Sequence, residues 1–300
     1  MVPQHQGLML CSSQGGGVMG LRINTNTASL NAQKTLWGTK IGLDKSMEKL
    51  ASGFRINRAG DDAAGLAISE NLKAQVRGLK QAGRNAQDGI SLVQVAEGSM
   101  NEISSILIRL RELAVQGASD TIGPVERQFL NVEYDQLTSE IDRISEGTEF
   151  NGTQLLAGVG SVLDFQVGTR NNPEIDRISF DASKADANSA ALGVNLTSVS
   201  DKASAQNALS AIDQAIVSVS AMRADFGAIQ NRLQSTVSNL QVSVENMSAA
   251  NSRIRDVDIA EETSEMTKNN ILLQAGTSVL AQANQQANIA LGLLNKTFQG

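Results

Sequence analysis

The fold of this 300-residue chain is decided by residues 72–114, which read LKAQVRGLKQAGRNAQDGISLVQVAEGSMNEISSILIRLRELA. Apolar residues recur there at every seventh position, and a second apolar row follows three places after most of them. These spacings place both rows on one stripe of an α-helix, and a stripe of this length is typical of a coiled coil. Because a helix with one apolar stripe is not stable alone in water, it needs a partner. The first row consists of Leu72, Leu79, Ala86, Val93, Met100, Leu107 and Ala114.

A second row of the same kind supplies that partner. Between residues 212 and 254 apolar side chains again recur at every seventh position without a gap. Two rows of equal length, separated by a connecting region, are expected to pack together as an antiparallel helix pair. The members of the second row are Ile212, Val219, Phe226, Leu233, Leu240, Met247 and Ile254.

Weaker rows near the two ends of the chain predict a second helix pair. Leu36, Leu43 and Leu50 are spaced by seven residues in the N-terminal part. Residues 274–288 carry no charge, whereas a helix that faces water normally has a charged side. This C-terminal helix is therefore expected to be buried against several neighbours, most simply further copies of the same chain. Its row is Met266, Leu273, Leu280, Ala287 and Leu294.

The region between the two long rows is expected to hold a shorter helix and a small β region. The helix runs from Val125 to Ser145 and should return antiparallel to the first long helix. Strands are predicted near residues 161–168 and 176–181, where apolar and polar residues alternate. The apolar positions of the short helix are Phe129, Val132, Leu137, Ile141 and Ile144.

The predicted fold is therefore mainly α, a long antiparallel helical hairpin or coiled-coil bundle with a small β-hairpin region at its tip. Residues 19–63 and 256–300 form the terminal helices in this prediction. The long-helix rod comprises residues 64–146 and 205–255, and residues 147–204 are its β region.

Composition argues against several classes of function. The single cysteine, Cys11, and the single histidine, His5, lie at the extreme N-terminus, so the rest of the chain lacks the commonest nucleophile, base and metal ligands. A net charge of −6 argues against nucleic-acid binding. No apolar run approaches the roughly 20 residues of a membrane span. We expect no enzyme activity, no cofactor, no metal, and neither a nucleic-acid nor a membrane partner.

Residues 1–18 differ from the rest of the chain. They contain Gly15, Gly16 and Gly17, show no periodicity, and are a poor secretory signal because no basic residue precedes their short apolar run. We expect a disordered leader, or a start of translation at Met19 that leaves this segment out.

Several blocks of sequence resemble bacterial flagellin. In the N-terminal half they are INTN at residues 23–26, LASGFRIN at 50–57, DDAAG at 61–65, RNAQDGIS at 84–91 and RELAVQ at 111–116. RIRD at residues 253–256 and QAGTSVLAQAN at 274–284 resemble the family's C-terminal region. The resemblance is to a short form, since residues 147–204 leave no room for the outer domains of long flagellins.

The resemblance implies a structural subunit of the bacterial flagellar filament, a hollow helical propeller used for motility. The terminal helices then form the inner core of the filament and the long helices the next layer. The family is exported through the flagellar type III apparatus without a cleaved signal peptide and polymerises outside the cell. The implied partners are other copies of the chain, an export chaperone, and the cap and junction proteins of the filament.

The resemblance also raises recognition by a host Toll-like receptor. The matching positions are Arg109, Leu113 and Glu133, whereas Ile108 departs from the family's usual glutamine. The alternative is that Arg109 and Glu133 are ordinary surface charges and that Leu113 packs in the helix seam. Among other functions, a hook–filament junction protein is the nearest alternative, and a generic coiled-coil adaptor is a more distant one.

Overall fold

The structure is a computed structural model that describes residues 25–159 and 161–297, with side chains as far as Gln285. The described residues divide into two compact units. One unit combines the residues up to Ala63 with those from Arg255 onward, and the other comprises Ala64–Ile254. The predicted leader, residues 1–18, lies outside the described residues.

The first unit is an antiparallel pair of α1 (Thr27–Ser52) and α6 (Ile259–Thr297). Asn26 caps the start of α1, where its side chain accepts a hydrogen bond from the Ser29 N–H. Gly53 ends the helix at φ 74°, a left-handed conformation that glycine adopts without strain, and donates to the Lys49 carbonyl. The predicted terminal helices are thus both present.

The second unit is built on the long helices α2 (Ala63–Gly117) and α5 (Lys202–Arg255). At about 1.5 Å per residue, the 55 residues of α2 span roughly 80 Å. The helices are antiparallel: the Arg111 Nε lies 2.7 Å from the Asp213 Oδ1 near one end, while Ala86 and Leu233 share an apolar cluster further along. The mainly α fold with a long helical hairpin is confirmed.

Helix α3 (Pro124–Gly147) returns along α2 after a short turn. The Arg127 guanidinium secures this turn by donating to the carbonyls of Gly117 and Ser119 at 2.9 and 2.8 Å. Leu137, Ile141 and Ile144 pack against the core as predicted. Phe129 and Val132 do not, because they lie on the opposite face of α3, where Phe129 is 71% exposed.

The β region contains two antiparallel hairpins. Strands β1 (Glu149–Phe150) and β2 (Thr153–Gln154) are joined by Asn151 and Gly152, both at positive φ, as an Asn-Gly hairpin turn requires. Strands β3 (Val162–Gln166) and β4 (Arg177–Asp181) pair from Val162 opposite Asp181 to Gln166 opposite Arg177, and the four-residue helix α4 (Pro173–Asp176) connects them.

The β3–β4 hairpin also extends along the helix pair. Phe165 lies flat against Gly89, where an added Cβ would come within 3.1 Å of its ring. The Asn85 Nδ2 donates to the Gln166 carbonyl at 3.0 Å. Phe180 packs against Phe226 with ring centroids 5.4 Å apart and ring planes tilted by 43°. The hairpin therefore covers one flank of the middle of α2 and closes the core of this unit.

Candidate functional site

The predicted seam between α2 and α5 is buried over part of its length. The row members before Ala86 on α2 and after Leu233 on α5 are only half-buried, although the β3–β4 connection still reaches α2 there, where Thr169 lies against Gly78. The buried members are Ala86, Val93, Met100, Leu107, Ala114, Ile212, Val219, Phe226 and Leu233. The half-buried members are Leu72, Leu79, Leu240, Met247 and Ile254.

The contact between α1 and α6 combines half-buried apolar residues with small and polar side chains. The Asn26 Nδ2 donates to the Ala283 carbonyl at 2.9 Å, and the Lys49 Nζ lies 3.1 Å from the Glu262 carboxylate. Gly276 passes so close to Leu36 that an added Cβ would lie 2.6 Å from a leucine methyl group. Among the side chains described in this unit, the buried apolar ones are Leu43, Ile56 and Ala283.

Several large apolar side chains of this pair are exposed to solvent. On α1 they form one stripe, since Leu30, Trp37 and Ile41 are spaced by seven and four residues. Trp37, the single tryptophan of the chain, is 70% exposed. On α6 the exposed residues are Ile271, Leu272 and Val279. The pair thus buries little apolar surface and displays more than a solvated helix pair normally does.

The predicted row on α6 lies mostly toward α1. Leu273 and Leu280 are half-buried and share a helix face with Gly276, which contacts α1. Ala287 and Leu294 fall within α6, but their side chains are outside the described set. The exposed apolar residues of α6 were not in the predicted row. On α1, the spacing of Leu30, Trp37 and Ile41 is visible in the sequence, but the leucines at every seventh position obscured it.

Arg109 and Glu133 join α2 to α3 on the surface of the second unit. The Arg109 Nη2 and Nε donate to Glu133 Oε1 at 2.8 and 3.0 Å, and Nη1 donates to Glu112 at 2.9 Å. The hydrogen bond to Glu133, and then that to Glu112, raises the pKa of the Arg109 guanidinium. Leu113 is 1% exposed and belongs to the core. The structure thus brings Arg109 and Glu133 together on the surface and places Leu113 in the core.

The described residues contain no group of three or more histidine, cysteine, aspartate or glutamate side chains arranged to hold a metal ion. Nor is any helix in that part of the chain both long and apolar enough to span a membrane. Asp61 and Asp62 are adjacent acidic residues just before α2. Asp61 has a structural role, because its carboxylate accepts hydrogen bonds from the backbone N–H groups of Arg58 and Asn57. These hydrogen bonds, that of Arg58 first, lower the pKa of Asp61.

Comparison with known proteins identifies the family. Residues 23–161 match the bacterial flagellin N-terminal helical region, and residues 209–294 match the C-terminal helical region. Flagellin of Halalkalibacterium halodurans is 48% identical over 272 residues, covering 91% of this chain and 99% of that protein. The flagellar filament 33 kDa core protein of Treponema phagedenis is 44% identical over 91% of this chain and 99% of its own length.

Among solved structures, a crystal structure of Bacillus cereus flagellin aligns with a TM-score of 0.47 at 32% identity, over 56% of this chain and 94% of that chain. The two helical regions of one family, found in the correct order, together with relatives that match over nearly their whole length, leave one assignment. The chain belongs to the bacterial flagellin family.

Proposed function

We propose that this chain assembles into the bacterial flagellar filament through the outward faces of its α1–α6 pair. Flagellins are structural proteins, and the chain is a filament subunit. The related core protein of Treponema phagedenis is named for the same role. A junction protein is not favoured, since these relatives are flagellins and filament core proteins. We infer no catalytic activity.

One observation supports the choice of this surface: among the described residues, the α1–α6 pair buries few apolar side chains of its own. Its described buried apolar side chains are small in number, whereas Leu30, Trp37 and Ile41 form an exposed stripe. Each large side chain that moves from water into a packed interface contributes about 1.5–3 kcal/mol. Contacts with neighbouring copies can therefore supply the stabilisation that one chain does not. Residues 274–288, which are uncharged, present no cost of burying charge.

The test is polymerisation of the full-length chain with and without a charge on this surface. Val279→Asp adds a carboxylate to a side chain that is 57% exposed in the single chain, so the monomer should keep its circular dichroism. We expect wild type to form filaments with a blue shift of Trp37 emission, and Val279→Asp to stay monomeric. Val217→Asp is the matched control, since Val217 on α5 is 68% exposed. Failure of wild type to polymerise would contradict the proposed function.

The domain roles follow from this proposal. The terminal helices, residues 19–63 and 256–300, form the inner core of the filament, and the rod of residues 64–146 and 205–255 with its β region at 147–204 lies outside them. The filament itself is extracellular. Export through the flagellar type III apparatus without a cleaved signal, and contacts with a chaperone, the cap and junction proteins, stay predictions from the family.

Recognition by a host Toll-like receptor also stays a prediction. If it occurs, Arg109 and Glu133 offer the contact, because both are exposed on adjoining helices. Leu113 supports them from the core and is not free to touch a receptor in this conformation. Ile108, which replaces the family's glutamine, is 52% exposed beside them and removes a hydrogen-bonding side chain from that surface.

A further inference from the structure

Helix α3 carries an apolar stripe that is exposed in the part of the chain that the structure describes. Val125, Phe129 and Val132 are spaced by four and three residues, so they lie on one face of the helix, and each is more than half exposed. Glu126 and Glu133 border this stripe on one side. The stripe is thus an apolar ridge that is bordered by the acidic Glu126 and by Glu133, which pairs with Arg109 of the same molecule.

A groove of about 340 Å³ lies between α2 and α5 where the seam is half-buried. Leu79, Val237, Leu240 and Val244 give it an apolar floor. Gly83 opens onto it, and a Cβ added there would meet no atom within 4 Å. The remaining lining residues are mainly polar, and they include Lys80, Arg84, Gln87, Gln241 and Glu245. Lys80 and Arg84 make the α2 edge of the groove basic.

The groove and the ridge lie on different flanks of the rod. The β3–β4 hairpin contacts α2 through Gly78, Asn85 and Gly89, which lie on the other side of the seam from Lys80 and Arg84. Arg109 pairs with Glu133 of α3 and occupies the same heptad position of α2 as Gln81. Gln81 lines a second groove beside the hairpin, so α3 lies on the same flank of α2 as the hairpin. Ridge and groove of one molecule therefore cannot meet each other, and each is available to another copy.

We propose that the Phe129 ridge of one copy seats in the Gly83 groove of the next copy in the filament. This inference rests on the proposed function, because it specifies one contact between subunits. A contact between two different surfaces is head-to-tail, and such contacts generate open filaments when the rotation does not close a ring. Glu126 beside the ridge is opposite in charge to Lys80 and Arg84 at the groove, which favours this pairing over ridge against ridge.

The spacing along the rod suits this arrangement. Arg109 lies beside Glu133, and the Gly117 carbonyl beside Arg127, so Phe129 is level with the α2 residues between these two positions. The groove is centred on Gly83, about 30 residues away, or roughly 45 Å along α2. A neighbouring copy shifted by that distance along the rod brings the two surfaces to the same level, while roughly half of each rod stays alongside the other.

The test fills the groove without disturbing the monomer. Gly83→Leu places a side chain in open space and replaces a helix glycine by a good helix former, so the monomer should fold at least as stably as wild type. We expect the critical concentration for filament formation to rise at least about tenfold. Gly98→Leu is the control, since Gly98 lies 15 residues further along the same helix, outside the groove, and a Cβ added there also meets no atom within 4 Å.

A charge exchange identifies the partner surface. Arg84→Glu and Glu126→Lys should each raise the critical concentration, whereas a chain with both substitutions should recover much of the loss, because the reversed charges again face each other between copies. Polymerisation of the wild-type chain in the same assay tests the proposed function separately. Normal filament growth by Gly83→Leu, or additive losses in the double variant, would overturn the ridge-and-groove contact and leave filament assembly itself unaffected.

Discussion

Truncating the same leucine at two points of one heptad row should have unequal consequences. Leu107 and Leu72 both belong to the first row on α2, thirty-five positions apart by their numbers. Leu107 is 0% exposed within the core that α3 and the β region complete, whereas Leu72 is only half-buried. The sequence pattern treats the two as equivalent, and the structure does not.

The expected losses follow from burial. Leu107→Ala removes methyl groups from a closed core and leaves a cavity, which costs about 2–5 kcal/mol of unfolding free energy. Leu72→Ala removes a side chain already partly in water, with no enclosed cavity, so about 1 kcal/mol is expected. Both substitutions place alanine in a helix, so helix propensity contributes the same small gain to each and cancels from the comparison.

Urea denaturation of the soluble monomer, followed by far-ultraviolet circular dichroism, measures the difference. We expect the Leu107→Ala midpoint to fall well below that of Leu72→Ala with the same slope, since both variants expose similar surface on unfolding. Equal midpoints would refute the reasoning, because they would mean that the seam is closed along its whole length. A changed slope for Leu107→Ala would instead indicate loss of the folded state's compactness.

Two further predictions concern single contacts. Burial raises the pKa of Tyr134, whose hydroxyl shares a hydrogen bond with the Thr197 hydroxyl. The contribution of Tyr134 to stability is therefore present below the unfolded pKa of about 10 and is lost as pH rises through the higher folded pKa. Tyr134→Phe should cost about 1 kcal/mol at neutral pH and flatten the alkaline loss, and the single tyrosine permits direct absorbance titration. Gly276→Val should force α6 away from Leu36 at a cost of about 1–3 kcal/mol and weaken filaments, whereas Gly38→Val, in open space, should affect them far less in a sedimentation assay.

The sequence predicted the helices because heptad spacing is a local property of each segment. The rows beginning at Leu72 and Ile212 lie in the two long helices, and the β3–β4 hairpin lies close to the predicted strands. Depth of burial was not predictable in the same way. It depends on how much of the α2–α5 pair is covered by α3 and the β3–β4 hairpin. The position of the hairpin is set by contacts such as that of Phe165 with Gly89, which join residues far apart in sequence.

The outward residues were the harder part of the candidate site. Phe129 looks like a core residue by type and spacing, and only the direction in which α3 faces α2 places it in solvent. Burial of Tyr134 and Ile141 in the core fixes that direction. Leu113, for which both a recognition surface and packing in the helix seam were considered, is held in the core. Helix rotation decides both outcomes, and it is set by tertiary packing.

In the α1–α6 pair, polar contacts determine the register of the two helices, whereas most of the stabilisation has to come from apolar burial. Ordering each residue of a helix costs about 1–2 kcal/mol, and the few buried apolar side chains of this pair offset only a small part of that. Its polar contacts nevertheless specify one alignment, because a shift of one turn would take Asn26 away from the Ala283 carbonyl and Lys49 away from Glu262. In the proposed filament, burial of Leu30, Trp37 and Ile41 against other copies then supplies the missing free energy. Ordering of the pair is thereby coupled to assembly, and the polar contacts ensure that the helices order in a single register.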